Sequence, residues 1–391
     1  MTPLRIVQVC SSLAWGGTEM HVPILSTKLI EAGHQVLAVV HPDGQILTEA
    51  ASRGIPSHSL RLGAYVNPLA TAHLWQLLNR YRPDVVHLHL SRDLWQVAPA
   101  ARLGPSPGIV LTKHVGSYVT KHDPLHRWLY HQVDRVITVS EILNRNVRAT
   151  CPVVPEKVVT IHHALDLEKY APGLCDRAAT RRDLQISGDT LIVGSVGRLS
   201  PGKGYEDFLY AARKVLDQLP GRDIRFLIVG AASYGEEKYF ETIRKLVHTL
   251  NLQDTVVFTG FRKDIPALLH AMDIFVFPSR AEGLGATLIE AMAMGVASVS
   301  TLSDGTLDIL TDGVTGLAFE PGDSTGLAQV TLRLIHDSAL RASIGLTGQR
   351  HARQQFDLNV MVARVERLYL DIVEGRNQAP SPPGVPRERT T

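Results

Sequence analysis

Short apolar runs alternate with helical patterns along almost the whole chain, and this constrains the fold more than any other feature. RIVQVC (5–10), QVLAVV (35–40), DVVHLHL (84–90), GIVLTKH (108–114), RVITVS (135–140) and KVVTIHHAL (157–165) form one set. TLIVGSVG (190–197), IRFLIVG (224–230), TVVFTG (255–260), IFVFPS (274–279) and VASVST (296–301) form a second. Strands that read as near-continuous Val/Ile/Leu runs are covered on both faces, and helices between them supply the crossovers of a parallel sheet. The fold class is therefore α/β, with two Rossmann-like, doubly wound domains expected to face each other across an interdomain cleft. Residues 1–170 and 190–357 are the expected domains, with the polar, charged stretch 166–189 as linker. A last helical pattern, about 358–375, follows, and the Pro- and Arg-rich residues 376–391 read as a disordered tail. At 391 residues and 45% hydrophobic composition, the chain is long enough for two cores.

The net charge of +2 demands no nucleic-acid partner. Residues 1–170 carry 16 Lys+Arg against 12 Asp+Glu and 13 of the 17 histidines, so this part is mildly basic and the remainder mildly acidic. A basic first half is compatible with an anionic acceptor or with peripheral contact at a membrane surface. The 3 cysteines, Cys10, Cys151 and Cys175, are scattered and match no metal or disulfide spacing. A cytoplasmic protein is expected, working in solution or at the inner face of the membrane. No apolar run reaches the roughly 18 residues of a spanning helix.

Within the second set, PSRAEGLGATLIEAMAMG (278–295) reads as strand, glycine turn and helix. The free N–H groups and the dipole of such a helix start favour an anion. Gly283 and Gly285 leave the backbone bare beside it. Glu282 stands in the turn, and Glu290 lies on an otherwise apolar helix where a buried carboxylate needs partners. Taken alone, Glu290 reads as a solvated glutamate; on so apolar a helix it reads as a ligand site, with a structural ion pair as the alternative. GSVGRLSPGKGYEDF (194–208) also joins a strand to a helix, but it fits neither G-x-G-x-x-G nor G-x-x-x-x-G-K-[ST]. Arg198 and Lys203 stand at that strand end, among Gly202 and Gly204; together they would neutralise a diphosphate without metal, while either alone reads as a solvated surface cation.

PSRAEGLGATLIEAMAMG, with TDGVTGLAFEPGD (311–323) after it, resembles the C-terminal signature of the retaining GT-B glycosyltransferases of family four (glycosyl transferases group 1). The likeness runs to about residue 375 and implies that the helix at about 358–375 packs back on the first domain. It implies that Glu282 and Glu290 are the family's Glu-x7-Glu pair, holding sugar and ribose hydroxyls respectively. It also implies donor contacts from Gly283, Leu284 and Gly285, and phosphate contacts from Arg198 and Lys203. Gly16 and Gly17 resemble the family's G-G-x-E turn, which closes over the phosphates; read bare, the same residues are a helix start capped by Thr18. By the resemblance, His114, at the end of GIVLTKH, contacts the transferred sugar. Ser91, Arg92 and Asp93 read either as acceptor contacts or as an exposed helix start, and His87 and His89 read as structural.

Two departures stand out. His163-Ala164-Leu165-Asp166 occupies the place of the relatives' Asn-Gly-Val-Asp, and Asp304-Gly305-Thr306-Leu307-Asp308 that of G-G-x-x-E. The resulting expectation is a retaining hexosyltransferase that needs no metal or cofactor. It would move a sugar from a nucleotide diphosphate sugar to a glycan or lipid-linked saccharide of the cell envelope. A nucleotide-sugar epimerase and a non-catalytic sugar-nucleotide sensor are the alternatives.

Overall fold

The computed structural model describes residues 3–63, 65, 67–117, 119–232, 236–280 and 284–378. Glu282 and Gly283 lie outside the described residues, as does the tail from residue 379. The chain divides into two compact units, Met1–His162 with Met361–Thr391, and His163–Val360.

In the first unit the strands are β1 (Arg5–Cys10), β2 (Gln35–Val40), β3 (Ser57–Ser59), β4 (Val85–Leu88), β5 (Gly108–Lys113), β6 (Arg135–Thr138) and β7 (Val158–Thr160). The helices are α1 (Gly17–Glu31), α2 (Gln45–Ser52), α3 (Pro68–Tyr81), α4 (Leu94–Leu103), α5 (Pro124–His131) and α6 (Glu141–Thr150). All pairings are parallel, in the order β3-β2-β1-β4-β5-β6-β7. Helix starts follow from local chemistry. Asn67 and Asp123 each precede a proline at the first helical position, and each side chain accepts a hydrogen bond from a first-turn amide. Strand β3, SHS, is exposed at all three positions and lies at the sheet edge, so no apolar run announces it.

The second unit begins with α7 (Arg177–Asp183) and continues through β8 (Leu191–Val196), α8 (Tyr205–Gln218), β9 (Ile224–Val229), α9 (Glu237–Thr249), β10 (Val256–Gly260), α10 (Ile265–Ala271), β11 (Ile274–Phe277) and α11 (Ala286–Ala293). It closes with β12 (Ala297–Thr301), β13 (Leu317–Phe319), α12 (Ser324–His336) and α13 (Ser338–Phe356). The sheet order is β10-β9-β8-β11-β12-β13. A last helix, α14 (Leu358–Gln378), belongs to the first unit from Met361 onward, where Tyr369 is fully buried.

The stretch 166–189 is not a linker. It carries α7, whose buried Arg181 donates to the carbonyls of Ala271, Gly188 and Thr190 and pairs with Asp273 at 2.9 Å. Arg177 joins the same carboxylate at 2.6 Å. The charges that suggest solvent in sequence are paired inside the second unit, because a buried guanidinium is stable only when its donors are matched.

Candidate active site

In both sheets the strand order reverses once, between β1 and β4 and between β8 and β11. Helices leave on opposite sides at such a point and open a crevice at the carboxyl ends of the two strands. The candidate residues gather at these two places, one in each unit.

In the second unit, a pocket of about 170 Å³ is lined by the end of β8 (Ser195 to Arg198), by Lys203 and by the exit of β11 (Phe277 to Ser279). Leu284, Ala286 and Thr287, at the start of α11, complete it. The first amides of α11 have no partner within their own helix, so the pocket meets the positive end of a helix. Arg198 is exposed and Lys203 half-buried, two cations on one wall. Gly202 and Gly204 adopt φ +85° and +73°. A Cβ on Gly204 would sit 2.0 Å from the Pro278 carbonyl oxygen. The Lys203 turn therefore lies directly on the exit of β11, and only glycine permits the contact. Gly204→Ala is expected to lower stability by about 2 kcal/mol, from the left-handed backbone and the displaced carbonyl. A thermal melt checks this; a midpoint within a degree of wild type would contradict it.

Further bonds hold this wall. Arg280 donates its backbone N–H to the Gly202 carbonyl at 2.9 Å, and its guanidinium to both oxygens of the buried Asp207. The Ser279 carbonyl accepts from the hydroxyls of Thr301 and Ser303. The turn Asp304–Asp308 is a short 3-10 helix closed by reciprocal Ser303–Thr306 bonds. Asp308 is half-buried and does not line the pocket. Arg280, Asp207, Ser279, Thr287 and Ser303 were not singled out in sequence: single polar residues carry no periodic signal.

Gly285 is buried, and a Cβ there would stand 3.2 Å from Ile309. Glu290 is half-buried on α11 and is not part of the pocket lining. Burial raises its carboxyl pKa above the ordinary range, while a hydrogen bond from the Tyr170 hydroxyl and the charge of Lys169 act the other way. The half-buried carboxylate thus has a partner inside its own unit. Tyr170, which sequence reasoning passed over, is buried and comes from the stretch before α7.

In the first unit, the ends of β1, β4 and β5 assemble a polar interior. Gly16 caps α1 with extended φ −165° and makes no side-chain cap bond; Thr18 lies inside the helix and is not the cap. Gly17 is exposed, with nothing near an added Cβ. Glu19 is buried and accepts from Ser12 at 2.6 Å. Asp93 is fully buried rather than part of an exposed helix start. It accepts from the Ser11 hydroxyl and amide, and burial pushes its pKa up to about 6. Arg92 donates to the Ser11 carbonyl at 2.9 Å.

His87 is buried between Tyr369 and Thr112, 2.6 Å from each, and burial pushes its pKa down to about 3, so it is neutral. Its neighbour His89 bonds Gln8 Oε1 at 2.7 Å through Nε2. That oxygen only accepts, so His89 Nε2 carries the proton and, in the neutral ring, Nδ1 is the acceptor. Nδ1 faces His114 Nε2 at 3.4 Å, and the two rings stack 5.7 Å apart. His114 is half-buried, and His21 lies edge-on 5.4 Å from it. Sequence alone singled out His114; the supporting Gln8, Thr112 and Tyr369 appear only in the fold. Among the described residues, no group of three or more His, Cys, Asp or Glu could hold a metal ion.

Residues 176–351 match the family model described as glycosyl transferases group 1, and residues 15–169 match glycosyltransferase family 4. The chain is 28% identical over 307 residues to the N-acetyl-alpha-D-glucosaminyl L-malate synthase of Bacillus anthracis, covering 76% of this chain and 77% of that protein. It is 26% identical over 319 residues to the UDP-Gal:alpha-D-GlcNAc-diphosphoundecaprenol alpha-1,3-galactosyltransferase of Escherichia coli, covering 77% and 78%. Among solved structures, Anabaena HepE in complex with UDP superposes with a TM-score of 0.73 at 23% identity, covering 94% of this chain and 100% of that one.

Proposed function

This chain belongs to the group 1, family four glycosyltransferases of GT-B fold, and from that premise we propose that it is a retaining, metal-independent hexosyltransferase. The donor in this reading is a nucleoside diphosphate sugar and the acceptor a glycan or lipid-linked saccharide of the cell envelope. One observation carries it: two cations and the start of α11 line a single pocket at the strand-order reversal of the second unit. That combination matches a diphosphate leaving group. The relatives' names support the same classes. The Escherichia coli enzyme is named for UDP-Gal and a diphosphoundecaprenol-linked saccharide, and HepE was solved with UDP.

In the proposed reaction, the bond from the sugar's anomeric carbon to the diphosphate oxygen breaks, and its electron pair leaves with the diphosphate. The acceptor oxygen bonds that carbon on the same face. Its proton passes to a phosphate oxygen of the leaving group, so no protein base is consumed. Arg198 and Lys203 carry the developing charge, and in this reading Gly283, Leu284 and Gly285 contact the donor. Glu282 and Glu290 hold sugar and ribose hydroxyls. In this reading His114, oriented through His89, contacts the transferred sugar, and Gly16 and Gly17 contact the phosphates.

A panel of UDP- and GDP-sugars with a diphosphate-lipid-linked saccharide tests this reading. Acceptor-stimulated release of nucleotide, and a product with the donor's anomeric configuration by NMR, are expected. Sugar isomerisation without acceptor, or an inverted product, would refute it. Because two side-chain cations face the diphosphate, transfer is expected to persist within about twofold in excess chelator. Loss of activity restored by magnesium or manganese would contradict this.

A further inference from the structure

The polar side chains at the ends of β4 and β5 join one run of hydrogen bonds that passes through the C-terminal helix α14. Thr112 Oγ1 lies 2.6 Å from His87 Nε2, and His87 Nδ1 lies 2.6 Å from the Tyr369 hydroxyl. That hydroxyl accepts from Gln8 Nε2 at 3.3 Å. Gln8 Oε1 meets His89 Nε2 at 2.7 Å, and His89 Nδ1 meets His114 Nε2 at 3.4 Å. Gln8, His87, His89, Thr112 and Tyr369 are all buried, so each must find its partners within the fold. Half a turn of the His87 or His89 ring would put carbon atoms where both nitrogens now bond. Two pairs hold α14 in place on either side of Tyr369: Glu366 with His34 at 3.1 Å, and Arg376 with Asp134 at 2.7 Å. His21, from α1, packs edge-on against the His89 and His114 rings at 5.6 and 5.4 Å.

The Gln8 amide gives the run its direction, because Nε2 only donates and Oε1 only accepts. On one side, Tyr369 accepts from Gln8 and so gives its own proton to His87 Nδ1. The His87 proton is then on Nε2, toward Thr112. Burial keeps both groups uncharged, pushing the His87 pKa down to about 3 and that of Tyr369 up. On the other side, His89 donates from Nε2 to Gln8 and accepts at Nδ1, so the proton between the two rings belongs to His114 Nε2. A neutral His114 therefore carries its proton on Nε2 and its lone pair on Nδ1.

We propose that Gln8 and Tyr369 are positioning residues for His114, acting through His89 to fix its ring as the Nε2–H tautomer, with Nδ1 as the acceptor for a hydroxyl of the transferred sugar. The tautomer rests on the hydrogen bonds alone, whereas its effect on transfer rests on the sugar contact proposed for His114. Tyr369 lies 282 positions from His87 and 361 from Gln8, so this part of the site is complete only once α14 has docked.

The test is the tautomer state of the full chain labelled with nitrogen-15 histidine, read from long-range proton–nitrogen correlations and assigned by replacing each histidine in turn. Nε2–H is expected in His87, His89 and His114 of the wild type. Nδ1–H in any of the three would overturn the proposal, because one reversed proton breaks the succession of donors. Tyr369→Phe removes the link between Gln8 and His87 and should leave His114 a mixture of the two tautomers. With the active donor of the UDP- and GDP-sugar panel, its kcat should fall about three- to tenfold, the worth of one hydrogen bond, while free nucleotide binds as to wild type. Gln8→Leu takes the acceptor from His89 and should give the same pattern. Melting curves keep a folding defect apart from a positioning defect. Wild-type tautomers in both variants would overturn the proposal. So would unchanged kcat in both variants when His114→Ala is impaired. Unchanged kcat in His114→Ala as well would remove the sugar contact itself, and the positioning role with it.

Discussion

Arg198→Ala and Lys203→Ala are each expected to slow sugar transfer by about 30- to 1,000-fold, with melting temperature nearly unchanged. Both side chains line the phosphate-sized pocket, one exposed and one half-buried, so neither supports a core. Removing a preorganised charge that meets developing negative charge costs about 2–4 kcal/mol in the barrier. The loss should fall chiefly on kcat, because the leaving diphosphate carries more charge than the intact donor. The glycine turn keeps Lys203 in register, and the Arg280–Asp207 pair holds the same wall from behind. Arg280→Ala should therefore raise KM and lower stability together, a different signature from loss of a reacting cation. Steady-state kinetics with a saturating acceptor separate the two. Turnover within twofold of wild type in both Arg198→Ala and Lys203→Ala would remove the phosphate assignment.

Glu290→Gln should weaken binding of both intact donor and free nucleoside diphosphate by about ten- to a hundredfold. A carboxylate accepts from two ribose hydroxyls, whereas the amide keeps one acceptor and presents a donor to the other. Each charge-assisted bond is worth roughly 1.5–3 kcal/mol. Tyr170 sharpens the test, because its hydroxyl already donates to Glu290. Tyr170→Phe removes that donor and leaves the carboxylate, so nucleotide affinity should shift by only a few-fold. A structural Tyr170–Glu290 pair predicts the reverse: equal loss of melting temperature in both variants and unchanged nucleotide affinity. The pH dependence has a definite sign. Burial raises the Glu290 pKa, so its anion is lost at a higher pH than an ordinary glutamate's as pH falls. Nucleotide affinity should fall with that protonation, and the fall should be absent in Glu290→Gln. Calorimetric titration of UDP and a UDP-sugar at several pH values measures both effects. Glu282→Gln is expected to impair transfer while leaving the free nucleotide's binding nearly unchanged.

What the sequence determined by itself is the set of central strands and the glycine turns between strand and helix. Runs such as RIVQVC and IRFLIVG bury nearly every side chain, and a strand covered on both faces must be apolar throughout. Arg198, Lys203 and the start of α11 were legible for a related reason: each lies where a strand is joined to the next helix, and a local pattern marks the joint. Edge strands β3 and β13, three residues each, left no such pattern. Only the tertiary structure decided the strand order, and with it which strand ends share a crevice, because pairing between β8 and β11 skips two intervening strands. It also decided the fate of each polar residue. Arg181, Asp93, Tyr170 and Gln8 read as ordinary surface residues in a line of text. Their partners Asp273, Ser11, Glu290 and Tyr369 lie 82 to 361 positions away. Hydrophobic period is a local property of the chain, whereas satisfaction of a buried charge depends on what the fold brings within about 3 Å.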